Sequence, residues 1–424
     1  MNKFELLKCV CFIFTTLLFV VVVLFFAIDL FLHPPGAFIG EEYLVPADSV
    51  EFLYDLTYAG ESGEIIYEQE IFNKIFDVID GAEKFIIVDM FLFGEDNGKS
   101  YRNLTGELFE SLIKKKENSP ETQIYFITDS FNLLHLSSEK EYFDKLESMG
   151  IGVSFVTRDM LDRESDFVSD FFKVERRERL NHRKVVLSDN GDKVSFIITS
   201  ANPHNPSSPN SNVGVYVEGG PAEEILSDEI KFIEMNSLSY DNHSLDQSDG
   251  ELGVRYLRNA GLVNFLSDEI GKTTRGDKID IATFIFSEDK VLKALVKASQ
   301  RGVDIRIVLD KNIESFGAKK DGAPNILIAE VLDGWSGGEI DIRWYQTHGE
   351  QFHTKFAIIN RGNFSTVLLG SSNLTPKSGP AYNMEADVSI RGSLGVKFID
   401  EAHEYYERIW GNEGGIYTSG EYVD

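Results

Sequence analysis

Apolar and polar positions along this chain alternate between the period of a β-strand and that of an α-helix. Short apolar runs of strand length are separated by longer stretches in which apolar residues recur every three or four positions. Strands followed in turn by helices are typical of a layered α/β fold. Between residues 63 and 236 the pattern predicts helices at 68–80, 104–116 and 138–149 and strands at 84–93, 123–128 and 152–156.

A second stretch, residues 253–412, repeats this order. Its pattern predicts helices at 254–270, 287–301 and 394–410, strands at 278–286, 303–309 and 340–345, and a glycine-rich insert at 316–338. The segments 91–96 and 284–289 are closely similar, and Thr128-Asp129 at one strand end parallels Leu309-Asp310 at another. A repeat of this length indicates that a folding unit has been duplicated. We therefore predict two similar halves, 63–236 and 253–412, joined by a linker at 237–252 that is rich in Ser, Asp and Asn.

The N-terminus carries a separate signal. Residues 9–28 are apolar and uncharged, and a helix of this length spans a bilayer. Lys3 and Lys8 precede the run and acidic residues follow it. The positive-inside rule therefore predicts a single-pass transmembrane anchor, with the N-terminus in the cytoplasm and the bulk of the chain on the exported, extracellular side. A cleaved signal peptide is the alternative, although the run is long for one. Residues 36–62 are interpreted as a linker or an irregular lead-in.

Two polar motifs recur among the apolar runs, one in each half. Each has His-x-Lys before an apolar run and Ser-x-Asn after the next one, with the Asn twenty positions after the His. The residues are His182, Lys184, Ser200 and Asn202 in the first half and His353, Lys355, Ser371 and Asn373 in the second. Because side chains alternate along a strand, each His and Lys share a face. A lone histidine on an apolar strand is commonly a core residue, but two copies in register indicate a function.

The formal net charge of −28 at pH 7 limits the range of partners. Such a chain repels polyanions at long range, which argues against a dedicated nucleic-acid binder and against broad docking on an anionic membrane. A small basic site inside a cleft is still compatible with this charge. The only cysteines, Cys9 and Cys11, lie in the N-terminal apolar run, so a cysteine nucleophile elsewhere is ruled out. No carboxylate–histidine cluster has convincing metal-ligand spacing, and neither a metal nor another cofactor is expected.

The paired motif resembles the signature of the phospholipase D superfamily, in which His-x-Lys-x4-Asp occurs twice per active site, each copy followed by Gly/Ser-Ser-x-Asn. The resemblance spans about residues 60–411 and is nearest to the cardiolipin synthase-like and phospholipase D-like branch. It implies two α/β halves that face each other about a pseudo-twofold axis and share one site. Asp189 occupies the aspartate position of the first motif, whereas Asn360 occupies that of the second. We expect Asn360 to hold the second motif in place less well than an aspartate would, and we expect the site to remain active.

Phosphodiester cleavage requires a nucleophile, a proton for the leaving oxygen and donors for the phosphoryl oxygens. One neutral imidazole, of His182 or His353, attacks phosphorus and forms a phosphohistidine, while the other gives its proton to the leaving alcohol. The groups expected to hold the phosphoryl oxygens are the amines of Lys184 and Lys355, the amides of Asn202 and Asn373 and, as assistants, the hydroxyls of Ser200 and Ser371.

A carboxylate distinguishes the two halves. Glu385 lies 32 positions after His353 and matches an Asn-x-Glu element of the family, whereas the position 32 after His182 is Gly214. A carboxylate that orients an imidazole also raises its pKa. We therefore expect Glu385 to hold His353, which makes His353 the proton donor and His182 the nucleophile. The resemblance points the same way, to the N-terminal histidine as nucleophile.

Three functions are compatible with these residues. The first is a membrane-anchored phosphodiesterase or phosphatidyltransferase of the phospholipase D type, which its anchor holds beside a phospholipid substrate. The second is a nuclease on the same scaffold, which the acidity of the chain disfavours. The third is a catalytically silent binding protein, favoured only by Asn360 and Gly214. We predict the first of these functions.

Overall fold

The computed structural model describes residues 37–95, 101–135, 140–163, 179–189, 191, 193–233, 250–315, 318–376 and 383–421. No helix within these ranges is long and apolar enough to cross a membrane. The apolar run at 9–28 and nearly all of the predicted linker at 237–252 lie outside them. The N-terminal anchor therefore stays a prediction.

The segment predicted as an irregular lead-in, residues 36–62, is in fact mostly regular structure. It contains the short strands β1 (Phe38–Ile39) and β2 (Tyr43–Val45), a 3-10 turn (Ala47–Ser49) and the long strand β3 (Val50–Ala59). β1 and β2 pair with the second sheet, whereas β3 is part of the first. The prediction failed because β1 and β2 are too short to give a periodic signal, and their partners lie about two hundred residues away.

The first half is built on an eight-stranded sheet in the order β4-β3-β10-β9-β8-β5-β6-β7. Besides β3, its strands are β4 (Ile65–Gln69), β5 (Phe85–Met90), β6 (Gln123–Asp129), β7 (Gly152–Val156), β8 (Lys184–Asp189), β9 (Val194–Thr199) and β10 (Asn212–Glu218). β5, β6 and β7 run parallel to one another, and the other neighbours are antiparallel.

The second half is built on a ten-stranded sheet in the order β1-β11-β19-β18-β17-β12-β13-β16-β20, with β2 also paired to β11. Its own strands are β11 (Leu252–Arg258), β12 (Lys278–Thr283), β13 (Asp304–Leu309), β16 (Asp341–Tyr345), β17 (Lys355–Arg361), β18 (Phe364–Gly370), β19 (Ala386–Ser393) and β20 (Thr418–Ser419). A separate hairpin is formed by β14 (Glu314–Ser315) and β15 (Ala318–Lys319).

Seven strands of each sheet correspond one to one. The order β3-β10-β9-β8-β5-β6-β7 in the first half matches β11-β19-β18-β17-β12-β13-β16 in the second. The directions match as well, because β12, β13 and β16 are parallel and the remaining neighbours in this series are antiparallel. The predicted duplication of an α/β unit is therefore confirmed at the level of topology.

Helices cover the outer faces of both sheets and fill the space between them. The helices are α1 (Ile71–Gly81), α2 (Leu104–Asn118), α3 (Phe131–His135), α4 (Lys140–Ser148), α5 (Arg158–Arg163), α6 (Ala222–Glu229), α7 (Gly261–Gly271), α8 (Asp289–Gln300), α9 (Asn325–Ser336) and α10 (Lys397–Gly411). α1, α2 and α4 pack on the outer face of the first sheet, and α7, α8 and α9 on that of the second. α6 and α10 contribute to a central core between the sheets.

The layering explains the unbroken apolar runs in the sequence. Every residue of β5, β8 and β9 is buried, because each of these strands has a packed layer on both of its faces. The central core joins side chains of both halves, for example Phe52 of β3, Phe356 of β17 and Tyr405 of α10. The rings of Phe52 and Phe356 lie 5.7 Å apart. The two halves are therefore held together by one continuous apolar core.

Most predicted elements lie within a few residues of those observed, with two exceptions in the second half. The helix predicted at 254–270 is a strand, β11, followed by the helix α7, and the glycine-rich insert at 316–338 contains the helix α9. Five of the seven residues of β11 are buried, on both faces of the sheet, so the strand carries no polar alternation. A buried strand that runs directly into a helix looks like one long helical pattern.

Candidate active site

Each motif histidine lies two residues before a central strand, β8 or β17, at the same edge of its sheet. An aspartate at the end of a neighbouring strand fixes the backbone just before it. Oδ2 of Asp129, at the end of β6, accepts the N–H of Asn181 at 2.6 Å. Oδ2 of Asp310, directly after β13, accepts the N–H of Phe352 at 2.7 Å. The parallel between these aspartates in the sequence thus reflects a shared role in positioning the histidines.

Both motifs are tied to the opposite half through the backbone. The N–H of His182 donates to the carbonyl of Met384 at 2.9 Å, and the N–H of Ser211 donates to the carbonyl of Gln351 at 3.1 Å. Short parallel bridges accompany these bonds on both sides of the pseudo-twofold axis. The two motifs are therefore brought together at the boundary between the halves, as a shared site requires.

Glu385 contacts the histidine of the other half. Its Oε2 lies 2.9 Å from Nδ1 of His182 and accepts the hydroxyl hydrogen of Ser371 at 2.6 Å. The Glu385 side chain is fully buried. The expectation that Glu385 holds His353 is therefore wrong, because the polar partner of each imidazole comes from across the axis and not from the same half.

Asn212 takes the corresponding place beside His353. Its Oδ1 lies 3.3 Å from Nδ1 of His353 and accepts the hydroxyl hydrogen of Ser200 at 3.2 Å. Its Nδ2 donates to the carbonyl of Asn210 at 3.0 Å, which fixes the orientation of the amide. The second imidazole therefore has a neutral partner where the first has a carboxylate.

Strand register confirms which residues are equivalent. Gly214 is the first residue of β10 paired with β9, and Asp387 is the first residue of β19 paired with β18. The counterpart of Gly214 is therefore Asp387. Asn212, two residues earlier, is the counterpart of Glu385. The alignment of Gly214 with Glu385 by equal spacing was wrong by two positions.

The two motif lysines are held alike. Nζ of Lys184 donates to the carbonyl of its motif histidine at 2.7 Å, and Nζ of Lys355 does so at 2.9 Å. The ring of Phe91 lies 5.1 Å from Nζ of Lys184, and that of Phe284 lies 5.4 Å from Nζ of Lys355. These distances are within the range of a cation–π contact. The same two rings pack on the motif histidines, with centroids 4.9 and 5.1 Å apart.

Burial dominates the electrostatics of the site. It lowers the pKa of Lys184 to about 7 and that of Lys355 well below its usual value. It also lowers the pKa of both His182 and His353, and each histidine is further affected by both lysines. Burial raises the pKa of Glu385 to about 7, although Lys184 opposes this shift. Because lysines of both halves act on both histidines, these five groups form one site.

The other residues predicted to bind the phosphoryl oxygens are Asn202, Asn373, Ser200 and Ser371. Oδ1 of Asn202 accepts the N–H of Leu92 at 3.3 Å, and within the described residues no donor reaches the buried Oδ1 of Asn373. Ser200 and Ser371 are buried and donate their hydroxyl hydrogens to the partners of the histidines. Their hydroxyl hydrogens are donated within the protein in the absence of substrate, and the assistance of these hydroxyls to a phosphoryl group stays a prediction.

Asp189 and Asn360 lie at the far end of β8 and within β17, seven positions after the histidines. At roughly 3.3 Å per residue this places them about 23 Å from the histidines along the strand. Oδ1 of Asp189 accepts the N–H groups of Lys84 and Phe85, each at 2.7 Å. Oδ1 of Asn360 accepts the hydroxyl hydrogen of Ser365 at 2.6 Å. Both side chains support the sheet, so Asn360 removes no group from the site itself.

Sequence reasoning missed a pair of buried asparagines behind the site. Nδ2 of Asn132 donates to the carbonyl of Phe91 at 2.8 Å, and Nδ2 of Asn325 donates to that of Phe284 at the same distance. Both asparagines are fully buried and begin a helix after β6 or β13. They hold the loops whose aromatic rings lie under the lysines. Asn132 follows Asp129 by three residues and Asn325 follows Asp310 by fifteen, so spacing in the sequence does not reveal that they are equivalent.

A buried ion cluster distinguishes the first half further. The guanidinium of Arg183, between the motif His and Lys, lies 2.8 Å from Asp89 and 3.1 Å from Glu229. All three side chains are fully buried, and Asp89 also accepts the amide of Asn181 at 2.7 Å. Burial raises the pKa of both carboxyls. The cluster locks the backbone on either side of the first histidine, whereas the second half has the neutral Thr354 in place of Arg183.

Comparisons with known proteins agree with this fold. Residues 266–410 match the family model described as "Cardiolipin synthase, PLD-like domain". No curated protein sequence matches the chain. Among solved structures, phosphatidylserine synthase from Haemophilus influenzae Rd KW20 is similar with a TM-score of 0.59, at 14% identity over 90% of each chain.

Polyphosphate kinase from Porphyromonas gingivalis is similar with a TM-score of 0.54, at 10% identity over 86% of this chain and 47% of that one. The chain thus spans about half the length of the kinase. At such identities a structural likeness concerns the fold alone. Residues 266–410 therefore match a phospholipase D-like domain, and the paired motifs that meet in one site support the resemblance of the chain to the phospholipase D superfamily.

Proposed function

We propose that this chain is a membrane-anchored phosphodiesterase or phosphatidyltransferase of the phospholipase D type, acting on phospholipid through a phosphohistidine. One observation carries the proposal. Nδ1 of His182 and Nδ1 of His353 each face an oxygen that accepts a hydrogen bond, on Glu385 and on Asn212. Both imidazoles therefore keep Nε2 for the substrate, where one can attack phosphorus and the other can carry a proton.

His182 is the better nucleophile of the two. When its Nε2 bonds to phosphorus, positive charge develops on the ring, and the adjacent carboxylate of Glu385 stabilises that charge. His353 has only the neutral amide of Asn212 beside it. Its pKa is lowered by burial, by the lysines and by His182, so protonated His353 is a strong acid toward a leaving alkoxide. His182 therefore remains the proposed nucleophile and His353 the proposed acid. The reason differs from the one predicted, because Glu385 contacts His182 and not His353.

The reaction then has two balanced steps. In the first, Nε2 of His182 attacks phosphorus, and the bond to the leaving oxygen breaks as Nε2–H of His353 gives its proton to that oxygen. In the second, Nε2 of His353 takes a proton from water or from an acceptor alcohol, whose oxygen attacks phosphorus and breaks the P–N bond. The same imidazole thus serves as acid and then as base.

Lys184 and Lys355 are proposed to bind the phosphoryl oxygens. Both amines lie beside the histidines and are almost completely buried. Burial alone favours their neutral forms, but a bound phosphodiester brings a negative charge that favours the ammonium forms. Binding of substrate and protonation of the lysines are therefore coupled, and the site becomes cationic when it is occupied.

The acidity of the chain supports phospholipid over nucleic acid. A net charge of −28 repels an extended polyanion but hinders a single phosphodiester at the end of an apolar molecule far less. The description of the matching family as cardiolipin synthase-like favours the same class. The apolar run at 9–28, taken as a membrane anchor with the catalytic part on the exported side, would hold the enzyme beside this substrate.

The decisive experiment compares the two substrate classes on the full chain reconstituted in vesicles. Head-group release from phospholipid, and its transfer to an added alcohol, should be measured beside cleavage of a single-stranded oligonucleotide. We expect turnover of lipid, abolished by His182→Ala and by His353→Ala. Cleavage of the oligonucleotide alone would identify a nuclease. Turnover of neither substrate by a folded protein would identify a silent binding protein.

A further inference from the structure

A row of four residues crosses each sheet beside its motif lysine. In the second half the row lies on β12, β17, β18 and β19 and consists of Thr283, Lys355, Gly370 and Asp387. In the first half it lies on β5, β8, β9 and β10 and consists of Met90, Lys184, Thr199 and Gly214. Side chains that stand opposite each other in a sheet share a face. The two halves therefore place different neighbours beside equivalent lysines.

Gly370 leaves room for a carboxyl group next to Lys355. A Cβ atom on Gly370 would lie 2.4 Å from Oδ1 of Asp387, so the carboxyl covers the glycine. Because neighbouring strands are only about 4.8 Å apart, this carboxyl reaches toward the lysine on the next strand. The first half has the reverse arrangement, since a Cβ atom on Gly214 would lie 3.1 Å from Oγ1 of Thr199. A buried carboxyl thus takes the place of a neutral hydroxyl in the second half.

Asp387 also holds the turn that follows β18. Its Oδ1 accepts the N–H of Ser372 at 3.0 Å, and its Oδ2 accepts the hydroxyl hydrogen of Ser372 at 2.5 Å. The shorter distance is typical of a hydroxyl that donates to a carboxylate. In the first half, Oγ1 of Thr199 accepts the corresponding N–H, that of Ala201, at 3.1 Å. The backbone contact is therefore conserved between the halves, whereas the hydroxyl of Ser372 is replaced by the methyl group of Ala201.

A small cavity lies between Ser372 and Lys355. Its volume is about 20 Å³, and its polar lining residues are Thr283, Lys355 and Ser372. All the residues that line it are buried, and within the described part of the chain no hydrogen-bond partner reaches Oγ1 of Thr283. A buried water needs roughly 10 to 15 Å³ and two to four polar partners. The cavity therefore has the size and the polar groups to hold one water.

The charged groups around Lys355 come from both halves. They are Lys184 of β8, Glu385 and Asp387 at β19, Asp310 after β13 and the two motif histidines. Burial, followed by Lys184, lowers the pKa of Lys355, and Glu385 and Asp387 oppose this shift. Burial, followed by Glu385, raises the pKa of Asp387 to about 8. Near neutral pH the carboxyl of Asp387 therefore keeps its proton while the amine of Lys355 is without one.

We propose that one buried water binds in this cavity and that, through it and Ser372, Asp387 and Lys355 share a proton that moves to the amine when the site takes up a phosphoryl group. The proposal rests on the proposed function, because it takes the lysines as ligands of the phosphoryl oxygens. Asp387 touches no substrate in this scheme and is a positioning residue. The first half has no such pair, since Gly214, Ala201 and Met90 occupy the places of the carboxyl and the two hydroxyls.

The transfer is balanced within the protein. Without substrate, Asp387 donates to Oγ of Ser372, Ser372 donates to the water, and the water donates to Nζ of Lys355. A bound anion favours the ammonium form, so each of these hydrogens moves to its acceptor. Asp387 becomes a carboxylate that accepts the hydroxyl hydrogen of Ser372, and Lys355 becomes an ammonium group that donates to the water. The site gains a cation for the phosphoryl group without taking a proton from solution.

The test counts the protons that the full chain takes up when it binds sulfate, which stays a dianion near neutral pH. Calorimetry in buffers of different ionisation enthalpy gives this number. Asp387→Asn keeps an oxygen for the N–H of Ser372 but has no proton to share, so it should take up about one proton more per sulfate than the wild type. By linkage, its affinity for sulfate should fall about tenfold more steeply per pH unit. Equal uptake in both proteins would overturn the shared proton.

Two further variants separate charge from structure. Ser372→Ala removes the hydroxyl that stabilises the carboxylate, so Asp387 should keep its proton and the uptake should rise as in Asp387→Asn. Thr199→Val is the matched control, because it removes the equivalent acceptor in the first half without touching a titratable group, and its uptake should equal that of the wild type. The number is counted per bound sulfate, so a partly unfolded sample does not change it.

The water is tested by a high-resolution crystal structure of the chain. It should lie within hydrogen-bond distance of Oγ1 of Thr283 and Oγ of Ser372, and Thr283→Val should lose it. A dry cavity in the wild type would overturn the proposal.

The outcomes distinguish this proposal from the proposed function. Failure of the wild type to bind sulfate would overturn the role of the lysines in the proposed function and the shared proton with it. The expected proton count together with cleavage of oligonucleotide alone would overturn phospholipid as the substrate and leave the shared proton standing. Turnover of phospholipid with equal proton uptake in Asp387→Asn and the wild type would do the opposite.

Discussion

Nδ1 of His182 lies 2.9 Å from Oε2 of Glu385, and the two residues belong to opposite halves of the chain. The imidazole and its carboxylate partner are separated by about two hundred residues in the sequence and joined only when the halves pack together. His353 has the same crosswise arrangement with Asn212, at 3.3 Å. Each half therefore provides one histidine and the partner of the other, and the two pairs differ by one negative charge.

The first prediction separates the histidines by chemistry. With a nitrophenyl phosphodiester, whose leaving group needs no proton, His353→Ala should still release a burst of about one equivalent of nitrophenolate and then stall, because the base for the second step is missing. General acid help is typically worth about 10² to 10⁴ in rate, but nothing replaces a missing nucleophile. His182→Ala should give no burst. Stopped-flow absorbance and the mass of the intact protein detect the product and the adduct.

The reverse pattern, with an adduct in the His182 variant and none in the His353 variant, would exchange the two roles. Lys397→Gln is a suitable control, since its ammonium is exposed on α10 far from the site and the burst should be unaffected.

The second prediction concerns the pH dependence of kcat/KM. The pKa of Glu385 is raised to about 7, so its carboxylate is present above that pH, and the pKa of Lys184 is lowered to about 7, so its ammonium is present below it. The first step also needs protonated His353, whose pKa is lowered from its usual value, so the profile is a narrow bell whose maximum lies on the acidic side of pH 7. Glu385→Gln should remove the acidic limb, keep the alkaline limb and lower kcat/KM by about 10²-fold. An acidic limb that survives in Glu385→Gln would mean that Glu385 does not govern it.

The third prediction tests the asymmetry at the other histidine. Asn212→Glu would give His353 a carboxylate, which raises its pKa and makes it a weaker acid. At a pH low enough to keep His353 protonated in both proteins, the rate with a natural alcohol leaving group should fall, whereas the rate with nitrophenolate should change much less. Asn212→Gln is the neutral control. Equal losses with both leaving groups would indicate displacement of the ring instead of a change in its acidity.

The fourth prediction assigns Asp189 and Asn360 to stability. Asp189→Ala leaves the buried N–H of Phe85 and the part-buried N–H of Lys84 without their acceptor, so it should lower the free energy of unfolding by about 1 to 3 kcal/mol, with kcat nearly unchanged. Asn360→Asp restores the family residue and should leave kcat within about twofold, because the strand separates it from His353 by roughly 23 Å. Thermal unfolding and steady-state kinetics measure the two effects. A large rise in kcat for Asn360→Asp would contradict this assignment.

The fifth prediction is topological. If residues 9–28 anchor the chain with its bulk on the exported side, protease added to intact cells should digest residues from about 36 onward. Protection of that bulk until the cells are lysed would contradict the predicted orientation. A single-site glycosylation or alkylation tag placed at the C-terminus gives an independent check of the side on which it lies.

Much of the fold follows from local pattern in the sequence. The strands β5, β6, β12 and β13 and their helices were predicted because buried parallel strands have unbroken apolar runs and their helices have a clear period. The duplicated motifs predicted the shared site. The strands β1, β2 and β11 were missed because they pair with strands that are distant in the sequence and because their own residues show no polar alternation.

The partners of the histidines were mispredicted for a geometric reason. Asn212 follows Asn202 by ten positions, whereas Glu385 follows Asn373 by twelve, so equal spacing pairs the wrong residues. The connection in the first half contains a tight 3-10 turn, Asn205–Ser207. Spacing within one half also says nothing about contacts across the axis, which decide the partner of each imidazole.

The crosswise pairing has a consequence for symmetry. In a homodimer of a single half, both imidazoles would necessarily have the same partner, either two carboxylates or two amides. A fused chain, unlike a homodimer, can place Glu385 beside one imidazole and Asn212 beside the other. Covalent fusion therefore does more than raise the local concentration of the second half. It frees two equivalent positions to carry different residues, and so allows one active site to hold a dedicated nucleophile and a dedicated acid.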